Sequence, residues 1–327
     1  MSDAADLDDQ AVASGFPAGL VFEDWTGDAR FFEYTKAANP VVPSLSPPVP
    51  IRSFAAALHQ GDVTRIVPLD LAAELAIDDG PATSPALRAS FVHVLPGEQI
   101  ATAPVATSEL YHVIRGRGFS VVDGQAIEWS EGDTFVLPAN ARSIHHAIGD
   151  AALYWVTDEP LLRFLGVAPA ARKFAPTMFT AERARAELEA VAADPRAEDR
   201  NRLSVLLAGA AHPRTLTATH VLWAMYGLLP DGAVQRPHRH QSVALDLILD
   251  CAPGCYSLLG ARLDESGEII DPTRVAWEPG GAFVTPPGMW HAHVNESGAP
   301  AHLFPVQDAG LQTYLRSLDI RFTPPRP

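Results

Sequence analysis

The apolar positions of this chain come in short runs. From Ala86 onward they fall at Ser90–Leu95, Tyr111–Ile114, Phe119–Val122, Thr134–Leu137 and Ala151–Val156, each broken by Gly, Pro or Asp. Runs of that length between turn-forming residues predict β-strands, and Asp123-Gly124 between two of them predicts a hairpin. The texture changes after Pro176. Thr180 can cap a helix whose Ala- and Glu-rich body runs from Ala181 to about Ala193, and a second short helix is expected around Asp199–Leu207. Strand texture then returns from Thr215 to Ile320. Ahead of the first strand region, short helices are expected at Ser53–Leu58 and Leu69–Ile77, and the proline-rich stretch Pro40–Pro50 reads as an extended arm.

The two strand regions repeat one another. Leu95-Pro-Gly-Glu98 matches Leu229-Pro-Asp-Gly232. Glu128-Trp-Ser-Glu-Gly-Asp-Thr-Phe-Val-Leu-Pro138 matches Ala276-Trp-Glu-Pro-Gly-Gly-Ala-Phe-Val-Thr-Pro286. A duplicated small β-barrel explains both matches. The expected organisation is an arm with short helices over 1–85, a first barrel over 86–170, a helical connector over 171–212 and a second barrel over 213–327.

Composition narrows the partners. The formal net charge is −15, with no Lys/Arg cluster to offset it, so phosphate backbones and anionic membrane surfaces are repelled. No nucleic acid and no membrane is expected as a partner. The start, Met1–Asp9, is acidic and lacks the basic and apolar regions of a signal peptide, which predicts a cytoplasmic protein. The two cysteines, Cys251 and Cys255, read as reduced thiols at a strand-end turn.

Chemistry concentrates near the C-terminus, in Arg236-Pro-His-Arg-His240 and Thr285-Pro-Pro-Gly-Met-Trp-His-Ala-His-Val-Asn295. Strand alternation sends His238 and His240 to one face and Arg239 to the other. His291 arrives from a second element after a Pro-Pro-Gly turn. Three neutral imidazoles suit zinc, copper, nickel or iron, and an open three-ligand face on iron(II) activates oxygen. His293 shares the parity of His291 and is a candidate for orienting a ligand or a bound oxygen species. Trp290 has the opposite parity and reads as packing on the barrel exterior. Trp223, Tyr226, Arg262, Gln241, Gln307 and His302 lie on expected strands of the same barrel, where packing is the simpler role. Asn295 is placed to fix the turn after the ligand strand.

These residues resemble the cupin family, in the paired arrangement of a bicupin. In the second copy, Gly232, His238 and His240 fit the family's first motif, with Ala244 and Leu245 in its glutamate slot. Gly280, Pro286, Gly288, His291 and Asn295 fit the second motif throughout. The first copy keeps the frame and loses the ligands. Gly97, Glu109 and Gly116 sit on the first motif with Ala103 and Val105 at its histidine positions. Gly132 and Pro138 sit on the second, with Asn140 and Ser143 in the glycine and histidine slots. His112, His145 and His146 lie nearby and out of register, so this copy reads as a structural or interface barrel.

Within the cupins the chain is similar to gentisate 1,2-dioxygenase and relatives that cleave salicylate or hydroxynaphthoate, through Tyr111–Gly118, Phe135–Pro138, Leu161–Gly166, the histidine runs and the closing Val306–Phe322. The resemblance implies a mainly β fold of two cupin barrels joined by a helical connector. It implies an Fe(II)-dependent dioxygenase that cleaves a small hydroxylated aromatic ring with O2, with Mn, Ni or Zn as alternative metals. Other readings are a decarboxylase, isomerase or lyase, and a non-catalytic metal- or ligand-binding bicupin. A homodimer or higher homo-oligomer is expected from the same resemblance. One departure bears on the substrate. Where those enzymes commonly carry an arginine, six residues past the second histidine, this chain has Asp246. A carboxylate there disfavours a second anion and makes Asp246 a candidate substrate contact, metal ligand or outer carboxylate.

Overall fold

The computed structural model of the protein describes residue 19, residue 21 and residues 23–324; the run Met1–Asp9 lies outside them. Two compact units are present, one ending at Leu45 and the other starting at Ser46. In the first, the Glu33 carboxylate accepts from the amides of Thr35 and Lys36 and starts the helical turn Tyr34–Ala37. The stretch 40–50 contains turns and no helix or strand.

The second unit holds four antiparallel sheets that pair into two barrels. The first barrel joins a six-stranded sheet, in the order Thr177–Phe179, Thr134–Pro138, Ser108–Arg115, Ala151–Thr157, Arg88–Val94 and Arg65–Pro68, to a four-stranded one. The latter runs Gln99–Thr102, Ser143–Ala147, Arg117–Val122 and Gln125–Ser130. The second barrel repeats this order. Its six-stranded sheet runs Ser53–Phe54, Ala282–Thr285, Ala244–Asp250, Ala301–Gln307, Trp223–Leu229 and Leu203–Leu207. Its five-stranded sheet runs Thr273–Ala276, Cys255–Gly260, Trp290–Asn295, His238–Arg239 and Arg321–Phe322. The duplication seen in the sequence is thus a duplication of strand order. The Asp123-Gly124 hairpin forms as expected, with both residues at positive φ (51° and 79°) and Val122 paired with Gln125.

Alternation decides where each strand face goes. Leu245 and Leu247 join Phe91, Leu110, Tyr154 and Val156 in a core shared by the two six-stranded sheets, so the barrels pack sheet to sheet. Ile248 and Phe283 point the other way, into the second barrel's own core with Cys255, Leu259 and Trp277. The first barrel is filled in the same manner by Tyr111, Trp129, Phe135 and Trp155.

Three expected helices need correction. Residues 203–207 form a strand, not part of a helix, because five consecutive positions pair with Trp223–Leu229, and that ladder outweighs a weak local helical preference. Residues 69–77 form a turn series: the Asp70 carboxylate accepts from the amides of Ala72 and Ala82, and Ala76 sits at φ 55°, which interrupts a helix. At 53–58 only a 3₁₀ turn, Ala56–His59, is helical, since Ser53 and Phe54 pair with Phe283 and Ala282 at the edge of the second barrel. The Ala181–Ala192 helix forms with Thr180 accepting from the Arg183 amide. Two short helices the pattern did not announce, Glu159–Leu165 and Ala309–Leu315, each follow the last strand of a six-stranded sheet core.

Candidate metal centre

His238 and His291 are direct cross-strand partners in the five-stranded sheet of the second barrel. His240 follows two residues on, and the turn Pro286-Pro-Gly-Met289 carries the chain back to His291. Gly288 adopts φ 73° in that turn and its amide donates to the His240 carbonyl at 2.7 Å, so the turn is tied to the ligand strand. A proline followed by a residue at positive φ is the pattern of a type II turn, which explains why Gly288 is needed. All three histidines are buried, and one candidate donor atom from each lies within 4.8 Å of the others. Arg239 points away and stacks over Trp290 at 5.2 Å, as the alternation requires.

Backbone carbonyls set the rings. His240 Nδ1 bonds to the Ser242 carbonyl at 2.9 Å and His291 Nδ1 to the Met289 carbonyl at 3.0 Å, which leaves each Nε2 as a free lone pair facing the centre. Ser242 Oγ also contacts His240 Nδ1 and donates to Gln307 Oε1, so Gln307 has an orienting place behind the ligand. His240 Nε2 is buried with no hydrogen-bond partner. Burial holds all three rings neutral: His240 is pushed down to about 4, and His238 and His291 well below the usual histidine range. Arg202 adds its positive charge to this effect at His238 and His240. Neutral rings with fixed lone pairs and an unsatisfied buried nitrogen fit a divalent transition-metal ion.

A buried cation lies beside the triad, and a buried carboxylate lies on the adjoining six-stranded sheet of the same barrel. Arg202 Nη1 lies 3.4 Å from His238 Nε2, while its Nε and Nη2 are buried without partners. Asp246 is buried on the barrel-facing side of its strand and accepts a 2.7 Å hydrogen bond from Thr285 Oγ1. Burial pushes its carboxyl up to about 6, against the opposing effects of Thr285 and the Arg202 charge. Arg202 was invisible in the sequence, where it fell inside an expected helix. Ser204 Oγ, on the strand that follows Arg202, and Trp223 Nε1, on the strand paired with it, are also buried without partners.

His293 is buried beside the triad, its ring 5.8 Å from that of His291 and 6.1 Å from that of His238. Its Nδ1 meets Ser257 Oγ at 2.7 Å, and Ser257 Oγ accepts from Trp277 Nε1 at 2.8 Å. Indole can only donate, so it occupies one acceptor position of the serine and leaves the hydroxyl hydrogen available to Nδ1, an arrangement in which the proton of His293 sits on Nε2. His293 Nε2 has no partner and is buried. The first barrel has the same chain: Trp129 Nε1 donates to Ser120 Oγ at 2.9 Å, and Ser120 Oγ lies 2.7 Å from His145 Nδ1. His145 is therefore the counterpart of His293, a match that the Trp129/Trp277 repeat could have signalled. There, however, Nε2 is closed by Thr102 Oγ1 at 2.9 Å.

The register corrects one assignment. Thr102, not Ala103, pairs with Ser143 as His238 pairs with His291. The first barrel is one residue shorter between its turn glycine, Gly97, and this strand than the second is from Gly232 to His238, so counting from the glycine misplaces the slot. Among the other candidates, Tyr226 stacks on His302 at 5.7 Å, and His302 pairs with Asp250 away from the triad. Arg262 is exposed, and Gln241 Oε1 accepts from the Asp319 amide. Asn295 donates to the carbonyls of Leu229 and Ala299 and accepts from the Ser297 amide, which pins the turn after the ligand strand. Cys251 and Cys255 are not bonded to each other. The C-terminal pair Arg321–Phe322 lies against His238–Arg239, with the Phe322 ring stacked on His238 at 5.4 Å. No helix among the described residues is long and apolar enough to cross a membrane.

Known proteins supply the context for this geometry. The Cupin domain family matches residues 90–157, the barrel without the triad. A 5-aminosalicylate 1,2-dioxygenase from Comamonas sp is 38% identical over 92 residues, 28% of this chain and 24% of that protein. Gentisate 1,2 dioxygenase 1 of Aquipseudomonas alcaligenes is 33% identical over 82 residues, 25% of this chain and 20% of that protein. The matched stretches thus span a quarter or less of either relative. The fold likeness is longer. A salicylate 1,2-dioxygenase from Pseudaminobacter salicylatoxidans superposes with TM-score 0.68 and 14% identity over 98% of this chain and 99% of that one. The same enzyme in its gentisate adduct gives TM-score 0.69 at 12% identity, over 99% and 95%. Residues 90–157 thus match the Cupin domain family, and the chain has the two-barrel fold of the salicylate 1,2-dioxygenase structures.

Proposed function

We propose that this protein is an Fe(II)-dependent dioxygenase that opens the ring of a small hydroxylated aromatic carboxylate with O2. The observation that carries the reading is the buried triad His238, His240 and His291, whose neutral rings converge within 4.8 Å while carbonyls fix two of their Nδ1 atoms. Three protein ligands leave coordination positions for substrate and oxygen, and iron(II) bound there supplies the electron transfer from ring to oxygen that spin-paired organic substrates cannot make directly. Support also comes from the relatives, which are named for cleaving 5-aminosalicylate and gentisate, and from the full-length fold likeness to a salicylate dioxygenase.

The chain's own residues then have distinct tasks. Arg202 brings two unpartnered N–H-bearing nitrogens beside the ligand cluster and is the natural counter-charge for a substrate carboxylate. His293, with its proton on Nε2, donates a hydrogen bond into the pocket and steadies an oxygen atom of the bound substrate. Burial keeps bulk water from the centre. Both oxygen atoms of O2 end in the ring-opened product.

The test is oxygen uptake by the purified, iron(II)-reconstituted protein with salicylates, gentisate, catechols and aminophenols. Uptake matched one-to-one by loss of ring absorbance is expected for a hydroxylated aromatic carboxylate. Turnover of a substrate without oxygen consumption would replace this reading with a non-oxidative metallocupin activity.

A further inference from the structure

Asp246 is a carboxylate inside a barrel that also holds a cation, and the two do not neutralise each other. Its strand neighbours Leu245 and Leu247 belong to the core between the barrels, whereas Ile248, two residues on, lies in the second barrel's own core. Alternation therefore turns Asp246 inward, on the side of the histidines. Oδ2 is occupied by Thr285, and among the described residues no donor reaches Oδ1. Arg202 is close enough for its charge to act on Asp246, yet no ion pair within 4.0 Å joins them. The Arg202 nitrogens Nε and Nη2 are likewise without partners. A buried cation and a buried carboxylate, each with unused valences, form two ends of a polar site. The counterpart of Asp246 in the first barrel is Tyr111, which faces Phe135 as Asp246 faces Phe283. Tyr111 closes its own hydroxyl on Glu109 at 2.6 Å and Thr102 at 2.8 Å. The open carboxylate is thus a feature of the triad-bearing barrel.

We propose that Asp246 selects an amino-substituted substrate: the pocket takes a hydroxylated aromatic carboxylate whose carboxylate faces Arg202 and whose ring amine donates to Asp246. This rests on the ring-cleavage reading for the reaction, though not for the binding. An amine suits a carboxylate better than an anionic or purely accepting substituent, and with two donors it exceeds the single donor of a neutral hydroxyl. It offers two N–H donors and never becomes an anion, whereas a second carboxylate, a nitro group or a phenolate puts negative charge or lone pairs against Asp246. A ring bearing no substituent offers Oδ1 no donor and wins nothing from it.

The test compares salicylate with 5-aminosalicylate, which differ only in the amine. Dissociation constants are measured anaerobically on the iron(II)-loaded protein by quenching of tryptophan fluorescence. The wild type is expected to bind 5-aminosalicylate about tenfold more tightly, the size of one hydrogen bond to a charged group. Asp246→Ala should bring the ratio of the two constants to near one. Asp246→Asn, which keeps the volume and one acceptor oxygen, should give a ratio in between and guards against misfolding of the alanine variant. Equal affinities in the wild type, or a tenfold ratio that survives in Asp246→Ala, would overturn the assignment. Oxygen uptake in parallel separates the two readings. Selective binding without uptake removes the dioxygenase and keeps the selector, and uptake indifferent to the amine does the reverse.

Discussion

The two barrels share a Trp–Ser–His chain and differ in what its far end meets. In the first, His145 Nε2 is met by Thr102, Thr102 by Tyr111, and Tyr111 by Glu109, which also accepts from Trp155 at 3.1 Å. Each link of this line ends on a protein partner, although Ser143 Oγ, opposite Thr102, is buried without one. In the second, His293 Nε2, His240 Nε2, and Arg202 Nε and Nη2 are all buried and unpaired. The difference teaches that one scaffold can be finished in two ways. A closed network stabilises a barrel, while unsatisfied groups concentrated at one place reserve it for a metal and a ligand. The Cupin domain match falls on the first barrel, 90–157, although the reserved groups are in the second. Family likeness therefore follows the frame of the fold more closely than its chemistry.

The largest expected effect breaks the comparison outright. His238→Ala, His240→Ala and His291→Ala should each reduce bound iron from one per chain to near zero, read by metal analysis after reconstitution and desalting, because two imidazoles do not hold the ion against dilution. His145→Ala should leave iron content unchanged. Iron lost from His145→Ala, or kept by any triad variant, would show the barrels' roles assigned wrongly.

Glu109 gives the next effect, several kcal/mol in size. Burial pushes its carboxyl up to about 8 from an ordinary value of 4.5. A group whose pKa is raised on folding contributes its full stability below the unfolded value and loses it as pH rises through the folded one. The contribution should therefore fall between pH 4.5 and 8, by roughly 5 kcal/mol in all. Glu109→Gln should flatten this decline. It should match the wild type near pH 4.5 and exceed it above pH 8, in denaturant midpoints taken across the range. A variant whose midpoint falls as steeply as the wild type's would remove Glu109 as the cause.

Smaller and sharper is the serine pair. Ser257→Ala frees His293 to change tautomer and should lower turnover roughly tenfold while metal content holds. Ser120→Ala breaks the same bond around His145 and should cost about 1–2 kcal/mol of stability with turnover intact. Equal effects of the two on turnover would mean that the first barrel takes part in the reaction. Smallest of all, Phe322→Ala removes the ring stacked on His238. It should speed chelator removal of iron a few-fold and change stability by less than about 1 kcal/mol, since Phe322 is 49% exposed.

Much of the molecule was legible before any coordinates. The runs of apolar residues located the strands, the Trp-containing repeat announced the duplication, and strand parity together with the Pro-Pro-Gly turn brought His238, His240 and His291 to one face. These are consequences of local rules, alternation and turn geometry, which need no knowledge of distant partners. Tertiary structure alone decided the rest. Residues 203–207 are a strand only because Trp223–Leu229 lies beside them, and that pairing is what turns Arg202 from a helix residue into a cation at the histidines. Asp246 points inward because Leu245 and Leu247 are claimed by the neighbouring barrel. Thr102 replaces Ala103 in the first barrel because cross-strand register, rather than distance from a glycine, sets the slot. Each of these depends on which strand pairs with which across long sequence separations, and such free energies have no signature in any short window of residues.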